Sequence, residues 1–169
     1  IEGFNLQRVS FKGNSWVSDE AFTGFISRNC RNCRIVDISN CLNLTNKALL
    51  AIGNYCPNLE YLNCSGGLLT LSGLLALRDL KNITTLCVSN CLLLSTDNLL
   101  SAIGLFPRLE RLDLSTNASV NYNMLCILLP MTTSLRRLDI RGCEDLNGYQ
   151  IESLQKMFPK ITFKQDAKI

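Results

Sequence analysis

The sequence predicts an α/β solenoid in which about six strand–helix repeats coil in a right-handed sense around a parallel, concave sheet. A nine-residue pattern of alternating apolar residues recurs about every 26 residues, which indicates one short strand in each repeat. Apolar residues with helical spacing follow most copies, and a proline precedes the next copy in several places. A unit of this size cannot bury its apolar face alone, so neighbouring units are expected to stack.

The strands are predicted where apolar and polar residues alternate. The clearest copies are residues 109–117, with the form LxxLxLxxN, and residues 135–143, in which cysteine takes the ninth place. The six copies begin at Leu6, Cys33, Leu59, Ile83, Leu109 and Leu135. Residues at the fourth and sixth places point to the same side of a strand, so we expect them in the core. The ninth residue lies where the chain turns, and Asn or Cys there is small and can hydrogen-bond to the backbone.

Helices are predicted between the strands. Thr45 is an expected N-cap, Leu49 and Ile52 share one helix face, and Gly53 lies near the helix end. Residues 95–104 repeat this arrangement, with Ser95 as its first residue. The prolines expected to stop helices before the next strand are Pro57, Pro107 and Pro159. The residues predicted for a last helix and a short seventh strand are Ile151, Leu154 and Phe158, then Ile161 and Phe163.

The pattern resembles the cysteine-containing class of leucine-rich repeats, LxxLDLSxCxxLTDxxLxxIxxxCPxL. Residues 37–46, DISNCLNLTN, and residues 55–59, YCPNL, match it closely. That class is similar to the repeat domains of F-box/leucine-rich-repeat proteins, and the resemblance extends over nearly the whole chain. The sequence departs from the pattern at the ninth place of three repeats, where it has Asn14, Gly67 and Asn117, and the third repeat is shorter than the others.

The resemblance implies a protein–protein interaction module, the substrate-recognition part of an F-box-type ubiquitin ligase. Such a module holds a protein for ubiquitination by a cullin ligase. No F-box is visible in the chain, so the cullin-ligase adaptor is expected to act through a segment upstream of Ile1 or on another chain. Two other functions stay open. One is a structural or assembly adaptor with no ligase link, and the other is a sensor whose pocket takes a small ligand, as the resemblance to plant relatives implies.

Length and composition restrict the class of protein. The 169 residues are expected to form a single leucine-rich repeat domain, residues 1–169, and the start at Ile1 rather than Met indicates a fragment or a processed chain. No signal peptide and no apolar run of about 18 residues is present, so we expect no membrane partner. The net charge of +3 gives no argument for nucleic acid. Nine cysteines, an odd number, favour a reducing compartment, which predicts an intracellular protein, cytoplasmic or nuclear.

The sequence offers little catalytic or metal-binding chemistry. It has no histidine, which removes Ser–His–Asp, Cys–His and HExxH arrangements. Cys30 and Cys33 form a CxxC motif, but a zinc site needs a second pair at a suitable spacing. This motif also ends a predicted helix, whereas a redox CxxC begins one. We therefore expect no enzyme, no metal, no cofactor and no disulfide.

Binding is expected on the concave side of the sheet, where strand residues that do not point into the core form a polar surface. The residues predicted to contact a protein partner are Arg34, Asp37, Glu60, Tyr61, Thr85, Arg111, Asp113, Arg137, Asp139 and Arg141. Tyr61 lies near the centre, where a binding anchor is expected. Arg111 and Arg137 are expected to bind carboxylates, with Asp113 and Asp139 fixing their orientation. The alternative is a surface that is merely solvated.

Three further residues have predicted positions. Cys64 is expected in the core, and Cys87 on the concave face. Trp16, the single tryptophan, follows the first turn, and we expect it to pack against the first loop. The alternative for Trp16 is a contact anchor for a partner, because tryptophan is favoured at the centres of interfaces.

Overall fold

In the computed structural model, which describes residues 4–166, seven strands form one parallel sheet in chain order. The strands are β1 (Arg8–Ser10), β2 (Ile35–Asp37), β3 (Tyr61–Asn63), β4 (Thr85–Cys87), β5 (Arg111–Asp113), β6 (Arg137–Asp139) and β7 (Thr162–Lys164). Each of the first six begins two residues after the start of a predicted copy. The seventh contains Phe163, as predicted, but Ile161 precedes it.

Six helices connect these strands within the described residues. They are α1 (Asp19–Asn29), α2 (Asn46–Tyr55), α3 (Leu71–Leu75), α4 (Thr96–Ile103), α5 (Tyr122–Met131) and α6 (Gly148–Met157). Each helix links a strand to its parallel neighbour, and crossovers of this type are right-handed. The predicted right-handed solenoid of six strand–helix repeats is therefore confirmed, with a seventh strand added at the C-terminal end.

The core lies between the sheet and the helices. The middle residue of every strand is buried, and these residues stand in register across the sheet. They are Val9, Val36, Leu62, Leu86, Leu112, Leu138 and Phe163. The sixth place of a repeat points the same way, and Cys64 is buried there as predicted. From the helices, Leu49 and Ile52 of α2 are completely buried. A continuous apolar layer of this kind is what makes stacked repeats stable.

The helix boundaries follow the predicted capping residues. Thr45 and Ser95 are N-caps, because their hydroxyl oxygens accept backbone N–H groups at 3.3 Å from Lys47 and Asn98. Gly53 lies near the end of α2 as predicted, two residues before Tyr55. Prolines then follow the ends of α2, α4 and α6 by a few residues, as expected.

The turn after each strand uses the eighth and ninth places of the repeat. Every eighth residue has a positive φ, between 50° and 70°, and these residues are Gly13, Asn40, Gly66, Asn90, Thr116 and Gly142. The ninth residue is small, and it is buried in repeats 2, 4, 5 and 6. The Cys41 thiol donates to the Phe11 carbonyl at 2.9 Å, and the Cys143 thiol donates to that of Leu114 at 3.4 Å. In repeats 2, 4, 5 and 6 the ninth residue thus joins its turn to the repeat before it, and in repeat 1 Asn14 accepts N–H groups of its own turn. The predicted hydrogen bonding to the backbone is confirmed in these repeats but not in repeat 3, where Gly67 has no side chain.

The prediction for Trp16 is wrong, because its side chain is 91% exposed. The cause is the tight turn that precedes α1. The Asn14 side-chain oxygen accepts the backbone N–H groups of both Trp16 and Val17, at 2.9 and 3.1 Å. This geometry turns Val17 towards the core, where it is half-buried, and leaves the indole outside. No helix within residues 4–166 has the length and apolar character needed to cross a bilayer.

Candidate binding surface

The side chains on the outer side of the seven strands form one continuous surface, which we call the sheet face. Its two main rows are the first and third residues of each strand, aligned by the parallel register. The first row is Arg8, Ile35, Tyr61, Thr85, Arg111, Arg137 and Thr162, and the second is Ser10, Asp37, Asn63, Cys87, Asp113, Asp139 and Lys164. Neighbouring strands are about 4.8 Å apart, so side chains within a row are in contact range.

The centre of the sheet face is uncharged. Tyr61 is half-buried, and its hydroxyl lies 4.0 Å from the Cys87 sulfur on the next strand. Burial, followed by the nearby Cys87, raises the pKa of Tyr61 to about 12. Burial, followed by the charge of Asp113, raises the pKa of Cys87 to about 11. Both groups are therefore protonated near neutral pH. Cys87 lies on the sheet face as predicted, but it is not a reactive thiolate.

Two aspartates of the second row are held in the turns that follow their strands. Asp37 accepts hydrogen bonds from the Ser39 amide at 2.9 Å and the Ser39 hydroxyl at 2.6 Å. Asp113 accepts the same pair from Ser115, at 2.9 and 2.6 Å. Both carboxylates are therefore fixed by their own turn and lie partly buried.

Charged pairs lie towards the two ends of the sheet face. Arg34 and Glu60 form an exposed ion pair at 3.1 Å. At the other end, Asp139 accepts hydrogen bonds from the Arg141 backbone N–H and from its guanidinium, the shortest at 2.9 and 2.8 Å, and it forms an ion pair with Lys164 at 3.3 Å. Partial burial opposes ionisation of Asp139, but the bonds from Arg141 and Lys164 outweigh it and lower the pKa of the Asp139 carboxyl.

Arg111 and Arg137 are directly opposed on β5 and β6, and both are exposed. Within residues 4–166 neither guanidinium donates a hydrogen bond or takes part in an ion pair. The expectation that Asp113 and Asp139 orient these two arginines is wrong. The Asp113 carboxylate is instead hydrogen-bonded to Ser115 in the turn that follows β5. The Asp139 carboxylate is bonded to Arg141 in the turn that follows β6 and to Lys164 on the edge strand β7. The arginine pair is consequently free to bind an anion.

A groove with a volume of about 420 Å³ runs over the C-terminal half of the sheet face. Its polar lining includes Arg111, Arg137, Asp113, Asp139 and Thr85, which were predicted as contact residues. Thr162 and Lys164 of β7 complete it, and sequence reasoning missed them because β7 lacks the nine-residue pattern. The alternation of Thr162, Phe163 and Lys164 is the signal that could have found them.

The CxxC motif is part of the core. Cys30 caps the C-terminal end of α1, and both Cys30 and Cys33 are buried and unlinked. Burial raises the pKa of both thiols, and it raises the pKa of Cys56 to about 12. Within residues 4–166 no three cysteine or acidic side chains are grouped closely enough to hold a metal ion. These sulfurs act as small apolar groups in the packing between repeats.

The fold and this surface define a leucine-rich repeat solenoid, and solved structures of such proteins resemble it. The leucine-rich repeat-containing protein LegL7 of Legionella pneumophila is 15% identical, over 94% of this chain and 56% of that one, with a TM-score of 0.65. The tropomodulin C-terminal domain of Caenorhabditis elegans is 16% identical over 90% of each chain, with a TM-score of 0.60. At these identities the likeness concerns the fold alone.

A third resembling structure is Rad7, solved in a complex with Elc1 in yeast. It is 17% identical, over 89% of this chain and 45% of that one, with a TM-score of 0.59. The chain spans about half the length of Rad7 and of LegL7. No protein-family model and no curated protein matches this sequence.

Proposed function

We propose that this chain is a protein-binding module that captures an acidic partner segment on its sheet face and carries out no catalysis. The observation that supports this most is the unpaired Arg111–Arg137 pair on two neighbouring strands. Like charges opposed on adjacent strands destabilise a sheet, so an anionic ligand between them relieves repulsion as well as adding contacts. A guanidinium binds a carboxylate through two parallel hydrogen bonds, which favours Asp or Glu side chains in the partner.

The rest of the sheet face suits a protein partner. Tyr61 presents a half-buried ring with few rotatable bonds, so a contact there costs little side-chain entropy. The proposed contact residues also include Arg34, Asp37 and Glu60 towards the N-terminal side of the sheet face, and Asp139 with Arg141 towards its C-terminal side. Because these groups lie on or next to strands, the surface is preorganised before the partner arrives, which lowers the free-energy cost of binding.

The finer proposal is that the chain is the substrate-recognition part of an F-box-type ubiquitin ligase receptor. Its support is the resemblance of residues 37–59 to the cysteine-containing repeats of F-box/leucine-rich-repeat proteins. The cullin-ligase adaptor is then bound by a segment outside residues 1–169. The buried, unlinked cysteines suit an intracellular protein, cytoplasmic or nuclear. A structural or assembly adaptor with no ligase link uses the same surface and is the alternative.

The binding proposal is tested by capture of partners from native cells with the full-length protein. Arg111→Glu combined with Arg137→Glu is expected to weaken capture more than tenfold, about 1.4 kcal/mol, while the fold is kept. The matched control is Lys81→Glu with Lys156→Glu, two exposed residues away from the sheet face. Loss of capture in the control, with full capture by the arginine variant, would refute binding on the sheet face.

The ligase proposal needs a separate readout. Cullin-ligase subunits are expected to co-purify with the full-length protein, and ubiquitination of the captured partner is expected to fall in the Arg111→Glu, Arg137→Glu variant. Capture of the same partner with no ligase subunit and no change in its ubiquitination would instead establish the adaptor function.

A further inference from the structure

Five large apolar side chains lie exposed along the loops that lead from the strands to the helices. They are Trp16, Leu42, Leu68, Leu92 and Leu93, and we call this row the apolar edge. Their exposed fractions run from 51% for Leu93 to 91% for Trp16. The row belongs to repeats 1–4 and lies apart from the sheet face, because its members follow the buried or half-buried ninth residue of each repeat.

The core does not require these side chains. In each of these loops the residue just before the N-cap supplies the inward apolar group, as Leu44, Leu69 and Leu94 do with almost no exposed surface. The residues of the apolar edge occupy the one or two positions before that group and point outward. A soluble chain gains nothing for its own fold from large apolar groups at four successive loops, and such rows mark interaction surfaces.

Hydrogen bonds join neighbouring loops at two places along the apolar edge. The Asn43 side-chain amide donates to the Ser15 carbonyl, which joins the loops of repeats 1 and 2. The Thr96 hydroxyl donates to the Ser119 carbonyl at 2.7 Å and so joins repeats 4 and 5. These bonds hold the loops of repeats 1 and 2, and those of repeats 4 and 5, next to each other.

The apolar edge becomes acidic towards the C-terminal end of the solenoid. Repeat 5 has Ala118 at the position of Leu92, and repeat 6 has Glu144 followed by Asp145. Both acidic side chains are exposed, and neither has an ion pair within residues 4–166. Three more charged residues border these loops: Glu20, Lys47 and Asp97, each the second residue of its helix (α1, α2 and α4). Lys12 and Arg141 lie on the sheet-face side of the turns, and Arg141 is paired with Asp139.

We propose that the apolar edge binds an amphipathic helix of a partner protein, with basic residues at the end that lies over Glu144 and Asp145. A helix laid along the apolar edge crosses the loops in the order of the repeats. An apolar stripe in its first turns then contacts repeats 1–4, and basic residues in its last turn reach Glu144 and Asp145 of repeat 6. This surface is separate from the sheet face, and the proposal does not rest on the function proposed above.

The acidic end of the edge argues against two other occupants. An anionic membrane surface attracts basic residues, whereas the loop residues between the ninth residue and the N-cap of each repeat include Glu144 and Asp145 and no lysine or arginine. A second copy of the chain carries the same acidic edge, so pairing two such edges side by side opposes like charges. A basic amphipathic helix complements both the apolar and the acidic parts.

Trp16 makes the test direct, because it is the only tryptophan in the chain and lies in the apolar edge. The probe is a tryptophan-free helical peptide of about 20 residues with a leucine stripe in its first three turns and lysines in its last turn. Its binding is expected to shift the Trp16 emission to the blue and to saturate. A matched peptide with glutamates in place of the lysines is expected to bind at least tenfold more weakly.

Variants locate the site. Leu92→Glu with Leu93→Glu is expected to weaken peptide binding more than tenfold, and Glu144→Lys with Asp145→Lys to reverse the preference between the two peptides. Arg111→Glu with Arg137→Glu is expected to leave peptide binding unchanged, which separates this test from that of the sheet face. Circular dichroism verifies that each variant folds. The proposal is overturned if the lysine peptide causes no shift, if the two peptides bind equally, or if only anionic vesicles or raised protein concentration shift the emission.

Discussion

In repeats 2, 4, 5 and 6 the ninth residue closes a turn with a side chain that donates to the backbone of the preceding repeat. In repeats 2, 4 and 6 a cysteine thiol does this, as Cys91 does towards the Cys64 carbonyl at 3.8 Å. In repeat 5 the amide of Asn117 does more. It donates to the carbonyls of Val88 and Leu114 at 2.8 and 2.9 Å and accepts the Cys91 N–H at 2.7 Å. Asn117 is buried, so no water can replace these bonds.

Asn117→Ala is therefore expected to lower the free energy of unfolding by about 3 kcal/mol, since it leaves three buried backbone groups unpaired. Asn117→Cys is expected to cost clearly less, because a thiol there can donate to Val88 as the native cysteines do in their repeats. Chemical denaturation measures both changes. Equal losses for the two variants would show that the hydrogen bonds of Asn117 do not stabilise the turn.

The eighth residue of each repeat has a left-handed backbone conformation, and Thr116 is the residue type least suited to it among the six repeats. Its φ of 56° is left-handed, a region that disfavours β-branched residues and tolerates Asn. Thr116→Asn is expected to raise the free energy of unfolding by about 1 kcal/mol. The reciprocal change, Asn90→Thr, is expected to lower it by a similar amount, because Asn90 has a φ of 50°. A loss of stability in Thr116→Asn would contradict this account of strain.

At the scale of elements, the short third repeat changes how helices pack. α3 has only five residues, and its C-terminal end lies against α2. A Cβ atom added to Gly53 in α2 would lie 2.3 Å from the Ala76 carbonyl oxygen. Gly53, near the end of α2, is thus required for the close approach of the two helices.

Gly53→Ala is expected to destabilise the fold by about 2 kcal/mol, because the backbone of Ala76 must move away from the added methyl group. The matched control is Gly148→Ala at the start of α6, where an added Cβ meets no atom within 4 Å. The control is expected to be neutral or slightly stabilising, since Ala favours helix more than Gly does. Thermal unfolding of the two variants compares them, and equal melting temperatures would refute the packing role of Gly53.

The features that are determined by the sequence repeat could be predicted, because its period of about 26 residues sets the strand positions, the core side chains and the strand register together. Val36, Leu62 and Leu86 are buried for that reason. Features that depend on contacts between repeats could not be predicted. Asp139, for example, is paired with Lys164 of a strand that lacks the motif. The exposure of Trp16 was missed for another reason, because it depends on a hydrogen bond to Asn14 within the same turn.

Across the whole molecule, side chains at equivalent positions of successive repeats are aligned in rows. The charge of a row determines which kind of partner it can bind. The sheet face has an uncharged centre at Tyr61 and an unpaired arginine pair at Arg111 and Arg137. The candidate residues of this face could be named from the sequence, since strand alternation determines which side chains face outward. Their pairing could not, because it depends on which carboxylates the turns have already occupied.

The central claim, that a protein partner binds the sheet face, is tested most directly by crosslinking in native cells. A photo-crosslinking residue is placed at Thr85 in the groove, or at the exposed Ile127 on α5, in otherwise unchanged full-length protein. The account predicts that the partner captured by the unmodified protein crosslinks at position 85 and not at position 127. Crosslinking of that partner at position 127 alone would place its binding on the helix side and contradict the account.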